Sequence, residues 1–195
     1  MVVLAQALAL NGKRSQSRPE GCGCGDGAAR GAAAATPPEA ARWAELVFLA
    51  VPGEVAVEVA KSLGDAVAGK VVVDCSNTLV WRNGPVWNPP AEGSMAAAIA
   101  KAVPRARIVK GFNTFGAEFH KDPGFAGPPA DVFLAGDDAE AKKLVADVAS
   151  ALGFRPVDAG PLRNASLVEN LAILWIHLAT VGGQGRTFTF TMQRR

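Results

Sequence analysis

The chain has 195 residues, 49% of them hydrophobic and 19% charged, with a formal net charge of +2. That length and apolar fraction exclude a disordered or fibrous chain and support one globular domain with room for an appendage. Its basic residues are scattered along the sequence, so neither nucleic acid nor a membrane surface is expected as a partner.

The opening residues MVVLAQALAL could pass for the apolar part of a secretion signal, but no basic region precedes them and no A-x-A type exit follows. Residues 1–12 are instead read as the remnant of a first helix. From residue 13 to residue 40 the composition shifts to Gly, Ala, Arg and Ser, which predicts a flexible connection. The three cysteines, Cys22, Cys24 and Cys75, are an odd number and suggest no disulfide framework, so a reducing, cytoplasmic setting is expected. Cys22 and Cys24 lie in GCGCGDG without the second ligand pair that a zinc site requires.

Over residues 41–195 the pattern becomes regular. Leu46 to Val51 is an unbroken apolar run, as expected of a strand buried on both faces of a parallel sheet. Similar runs recur at Val71 to Val73, Ile108 to Val109, Val132 to Ala135 and Phe154 to Val157, giving five strands. Helical spacing fills the gaps near residues 54–64 (Val55, Val59, Leu63), 94–103 (Met95, Ile99, Ala102, Val103, after a Ser94 cap) and 138–152 (Ala141, Leu144, Val145, Val148, Leu152, stopped by Gly153). A last helix over 164–181 places Leu167, Leu171, Leu174 and Leu178 on one stripe. Strand, helix, strand repeated in this way predicts an α/β fold, Rossmann-like and doubly wound, with a mainly parallel sheet and crossover helices. The apolar run from Leu171 to Ala179, interrupted by His177, is far shorter than the roughly 18 residues of a membrane-spanning helix.

In an open parallel sheet, ligands bind beyond the carboxyl ends of the strands. Those positions hold Val51, Pro52 and Gly53; Ser76, Asn77 and Thr78; Gly111, Phe112, Asn113 and Thr114; and Gly136 with Asp137. Turns alone call for Pro, Gly, Asn and Asp, but four such endings together suggest a binding crevice at one edge. No G-x-S-x-G, P-loop or H-E-x-x-H occurs, and His120 and His177 have no paired acid or cysteine at ligand spacing. What remains is binding, or hydride transfer in which a cofactor supplies the reactive atom.

The series LVFLAVP, KVVVDCSN, RIVKGFNTFGAEF, DVFLAGDDAEAK, LGFRPVDAGPLRNA and LVENLAILWIHLA resembles the NADP-dependent deazaflavin (coenzyme F420) oxidoreductases, over about residues 40–181. It is similar, more distantly, to the nucleotide domain of the transmembrane metalloreductases. The resemblance implies hydride transfer between NADP(H) and a deazaflavin of the F420 type, with no side chain required as acid or base. It implies that Ala50, Val51 and Pro52 pass beneath the phosphates and nicotinamide riboside, that Asn77 and Asn113 face the nicotinamide, and that Ala135 and Gly136 line the flavin end. Ser17 and Arg18 match a pair that grips the 2′-phosphate, for which an arginine fork suits a dianion.

The chain departs from that family in lacking the first apolar strand and the glycine-rich turn that holds the pyrophosphate at a helix N-terminus. GCGCGDG follows no strand and opens no amphipathic helix, and KRSQS has no apolar residue to bury. Two functions therefore stay open: the redox reaction, impaired by the missing phosphate loop, and a degenerate, non-catalytic Rossmann-type module for binding or oligomerisation. Self-association as a homodimer is expected through the last helix, with Trp175, Ile176 and Leu178, and through Thr187 to Met192, which alternates like an edge strand.

Overall fold

The computed structural model describes residues 2–4, 35–120, 122–124 and 127–193. In chain order the elements are β1 (Val2–Leu4), α1 (Pro37–Trp43), β2 (Leu46–Ala50), α2 (Gly53–Leu63), β3 (Val71–Asp74), β4 (Leu79–Trp81), β5 (Pro85–Trp87), α3 (Met95–Ala102), β6 (Arg107–Lys110), β7 (Asp131–Ala135), α4 (Ala139–Ala151), β8 (Arg155–Gly160) and α5 (Ala165–Thr180). The main sheet has the order β1-β2-β3-β6-β7-β8, and β4 and β5 form a separate hairpin. Of the helix expected over residues 1–12, only Val2–Leu4 are described; they form a strand paired antiparallel to β2. The connection expected over 13–40 lies outside the described residues up to 34, and α1 begins inside it at Pro37. Glu39 starts that helix by accepting hydrogen bonds from the Thr36 N–H and hydroxyl at 2.9 and 2.6 Å.

The five expected strands and four expected helices all form, and the sheet is mainly parallel. Pairing is parallel between β2 and β3, β3 and β6, and β7 and β8. Alternate residues of each strand supply two cores. Val47, Leu49, Val72 and Ile108 pack with α1, α2 and α3 on one face. Leu46, Val71, Val73 and Val109 pack with α4 and a group of phenylalanines on the other.

The direction of β7 is the main difference from the parallel reading, since it runs antiparallel to β6 with Lys110 opposite Ala135. Among the described residues, the segment from 111 to 130 contains only a short 3-10 turn at Ala117–His120 and no crossover helix. A parallel return needs such a crossover; without one the chain doubles back.

The buried helix faces also differ from the expected stripes. On α2 the sheet side is Ala56, Ala60 and Leu63, while Val55 is 39% exposed. On α5 the buried side is Ala165, Val168, Glu169, Ala172, Trp175 and Ala179, while Leu167 and Leu174 are 67% and 48% exposed. The alanines on these faces let each helix approach its support closely.

Residues after α5 fold back on the same chain, which corrects the reading of Thr187 to Met192 as a strand seeking a partner. The Trp175 indole N–H donates to the Phe188 carbonyl at 2.9 Å, and the two rings stack at 5.4 Å. Arg186 lies 5.7 Å over the Trp175 ring and pairs with Glu118 at 2.8 Å. Phe188→Ala is expected to speed tryptic cleavage after Arg186 roughly tenfold, the equivalent of about 1.4 kcal/mol of local opening. An unchanged cleavage rate would mean that the stack does not hold the tail.

Candidate functional site

The site is built where β2, β3 and β6 end side by side. After Ala50 the chain turns through Val51 and Pro52 into α2, whose first residue packs directly on the turn after β3. A Cβ built on Gly53 would lie 2.2 Å from the Asn77 carbonyl oxygen, so only glycine permits this approach. At the end of β6, Phe112 adopts a φ of 61°, a left-handed conformation uncommon for a bulky residue. Its ring is held edge-on between Phe48 at 5.5 Å and Phe154 at 5.7 Å. That turn carries Asn113 toward Asn77. The Asn113 amide donates to the Asn77 side-chain oxygen at 3.0 Å, and the Asn77 amide donates to the Asn113 carbonyl at 3.2 Å. The Asn113 amide also reaches the Val168 carbonyl of α5 at 3.4 Å. Asn113 is 6% exposed, yet its Oδ1 is buried without a hydrogen-bond partner. An orphaned buried acceptor of this kind costs about 1–3 kcal/mol until a donor reaches it.

Beneath the amide pair lies a buried charge cluster. Lys110, the last residue of β6, is fully buried, and its ammonium meets Asp74 at 2.8 Å and Glu169 at 3.4 Å. It also donates to the Ser76 carbonyl. Asp74 accepts from the Ser76 N–H and hydroxyl at 2.9 and 2.6 Å. Glu169 accepts from the N–H groups of Met95 and Ala96 at 2.9 and 3.4 Å and from the Thr78 hydroxyl at 3.3 Å. Sequence reasoning missed all three charged residues. Their signal is a charge at the end of each apolar strand run, VVVD and RIVK, and a single acid in the apolar helix LVENLAILWIHLA.

Cys75 sits half-buried beside this cluster. Burial first, then the Asp74 charge, pushes its thiol up to about 12, with Lys110 opposing. His120 packs among Phe112, Phe115 and Phe154 with ring centroids at 6.5, 5.4 and 6.1 Å. Burial lowers its pKa below the ordinary histidine value.

The structure thus brings together Ala50, Val51, Pro52, Asn77 and Asn113 at one edge. Ala135 lies opposite Lys110, the last residue of β6, and in the same buried cluster as Val51 and Val168. Because β7 runs back, Gly136 lies farther along β6, where a Cβ would meet the Ile108 carbonyl oxygen at 3.0 Å. Ser17 and Arg18 lie outside the described residues. A separate cavity of about 580 Å³, lined by Arg155, Pro156, Val157 and Met192 among others, lies against the β8 edge instead.

Residues 15–78 match the family model described as NADP oxidoreductase, coenzyme F420-dependent. The metalloreductase STEAP3 of Rattus norvegicus is 34% identical over 145 residues, covering 69% of this chain and 26% of that protein. The F420-dependent NADP reductase of Methanocaldococcus jannaschii is 28% identical over 145 residues, 72% of this chain and 64% of the reductase. The chain therefore spans less than two thirds of either curated relative. Among solved structures, a protein of Arthrobacter sp. FB24 provisionally named as an F420-dependent NADP reductase superposes with a TM-score of 0.75 at 34% identity. That match covers 82% of this chain and 74% of the other.

The Cys75 thiol gives a direct check on the burial of this region. An ordinary cysteine titrates near about 8.5, so at pH 8 alkylation of Cys75 by iodoacetamide is expected to be roughly a thousandfold slower in the folded chain than in the unfolded one. Because the folded value is the higher, the thiol's contribution to stability is complete below about pH 8.5 and is lost as pH rises toward 12. Site-resolved mass spectrometry showing comparable rates in both states would overturn this placement.

Proposed function

Since the chain belongs to the family of coenzyme F420-dependent NADP oxidoreductases, we propose that it is a cytoplasmic reductase transferring a hydride between NADP(H) and a deazaflavin coenzyme of the F420 type. The observation that carries this reading is the orphaned Asn113 Oδ1, held in an amide pair where three parallel strands end. A carboxamide N–H or a ribose hydroxyl is the donor that such an acceptor lacks, so the residues present fit the nicotinamide half of the nucleotide. When bound, the nicotinamide and deazaflavin rings supply the hydride chemistry themselves.

The protein's own contribution is to bind and orient. Asn113 accepts from the nicotinamide half, Asn77 holds Asn113 in place, and Ala50, Val51 and Pro52 form the floor. Ser17 and Arg18, inside the segment matched by the family model, grip the 2′-phosphate and select NADP over NAD. Ala135 and Gly136 line the flavin end. The sequence has no G-x-G-x-x-G between a strand and a helix. Charge-assisted hydrogen bonds to the pyrophosphate, worth about 1.5–3 kcal/mol each, are correspondingly fewer, which weakens binding about a thousandfold at roughly 1.4 kcal/mol per decade.

Titration with NADPH is expected to give a dissociation constant in the high micromolar to millimolar range, with NADH weaker. Asn113→Ala is expected to weaken NADPH about tenfold, or about 1.4 kcal/mol, with the fold retained. Equal affinity for both nucleotides, or no effect at Asn113, counts against the site. Binding of NADPH with no deazaflavin reduction would leave a non-catalytic binding module.

We also assign a homodimer contact to the outward face of α5, where Leu167 and Leu174 stay exposed while Trp175 is covered by the tail. Sedimentation at tens of micromolar is expected to show a dimer that Leu174→Glu dissociates. A wild-type chain that sediments only as monomer removes this assignment.

A further inference from the structure

Both residues that flank Asn77 are tied to the buried charge cluster. Before it, Ser76 is held by Asp74 and Lys110, through its N–H, its hydroxyl and its carbonyl. After it, Thr78 donates to Glu169 at 3.3 Å and is itself 4% exposed. Asn113 is tied to the same place from the other side, because its amide reaches the carbonyl of Val168, the residue preceding Glu169. Glu169 is therefore the point where β6, the turn after β3, the first turn of α3 and α5 meet.

We infer that Glu169 is a positioning residue, whose carboxylate fixes the placement of the Asn77–Asn113 amide pair through Thr78, Lys110 and α3. The inference rests on the reading of that pair as the nicotinamide-facing part of the site. Each of the four groups pointing at Glu169 is a donor: the Lys110 ammonium, the N–H groups of Met95 and Ala96, and the Thr78 hydroxyl. Three of them meet Oε1 and one meets Oε2. Only the Thr78 hydroxyl can turn round and accept instead. Glutamine can therefore replace Glu169 with its oxygen toward Lys110 and α3 and its amide toward Thr78. Lys110 then keeps Asp74 as its single counter-charge, and the geometry survives the loss of one carboxylate. Alanine at 169, or valine at 78, breaks the connection to Thr78 outright.

Three variants and two ligands separate positioning from general stability: Glu169→Ala, Glu169→Gln and Thr78→Val, each titrated with NADPH and with 2′-phospho-ADP-ribose, which lacks the nicotinamide. Glu169→Ala and Thr78→Val are expected to weaken NADPH about tenfold, at roughly 1.4 kcal/mol per decade, and to leave 2′-phospho-ADP-ribose within about twofold. Glu169→Gln is expected to restore NADPH binding to within about threefold of the wild type. Equal losses for both ligands would show a merely structural role, and unchanged NADPH binding in Thr78→Val would overturn the inference. Should Glu169→Ala fail to fold, Thr78→Val carries the comparison. A second readout needs no ligand. Side-chain amide protons of Asn77 and Asn113 are expected to exchange about tenfold faster in Thr78→Val than in the wild type, with the backbone amides of Val72 and Val73 unchanged. If the wild type binds neither nucleotide, the family reading of the site fails and this exchange measurement decides the positioning role alone; unchanged exchange overturns it.

Discussion

A lysine ammonium with no exposure to water is held at the end of the central strand β6 by two carboxylates. An unpaired charge at such a depth is costly enough that the group would shed its proton or the region would open. Removing one member of a buried pair commonly costs about 3–5 kcal/mol, because the partner is left uncompensated. The cluster has one positive and two negative groups, and the surplus is absorbed by neutral donors. Asp74 is solvated by Ser76, and Glu169 lies at the amino end of α3, where free N–H groups and the helix dipole favour an anion. Satisfying one lysine thus fixes the mutual placement of β3, β6, α3 and α5.

The edge above this cluster takes its shape from that fixation and from two backbone constraints. Gly53 lets the start of α2 press against the turn after β3, and the left-handed Phe112 swings Asn113 inward, with its ring locked among other aromatics. The half of the edge built from Val51, Asn77 and Asn113 is thus positioned by the sheet and by these two turns.

Strands β2, β3, β6, β7 and β8 and helices α2 to α5 were legible because strands buried on both faces leave apolar runs, and Ser94 and Asp138 cap their helices as their sequence context suggests, accepting from Ala97 and Ala141, whereas β1, α1 and the β4–β5 hairpin carried no such signal. Helix faces were less legible. Periodicity weights large side chains, whereas α2 and α5 turn alanines inward and leave Val55, Leu167 and Leu174 outside. Strand direction was hidden for a related reason: an apolar run such as VFLA is the same in either direction, and only the lack of helical spacing between residues 111 and 130 marked the reversal of β7. At the site, Asn77 and Asn113 could be found from their place after apolar runs. Lys110 and Glu169 could not be paired from sequence, since the two are brought together only by the packing of α5 across the strand ends.

The edge strand β8 carries a proline beside the inward-bonded Arg155, whose N–H donates to the Ala130 carbonyl. Pro156 is in register with Val132, and having no N–H it can donate no hydrogen bond to a chain approaching from the open side. The Arg155 guanidinium beside it is already engaged, with Asp131 at 2.9 Å and with the Met192 carbonyl at 2.6 Å. A sheet ending in this way resists being lengthened by a neighbouring molecule. This boundary of the domain is guarded against the edge-to-edge aggregation to which exposed strands are prone.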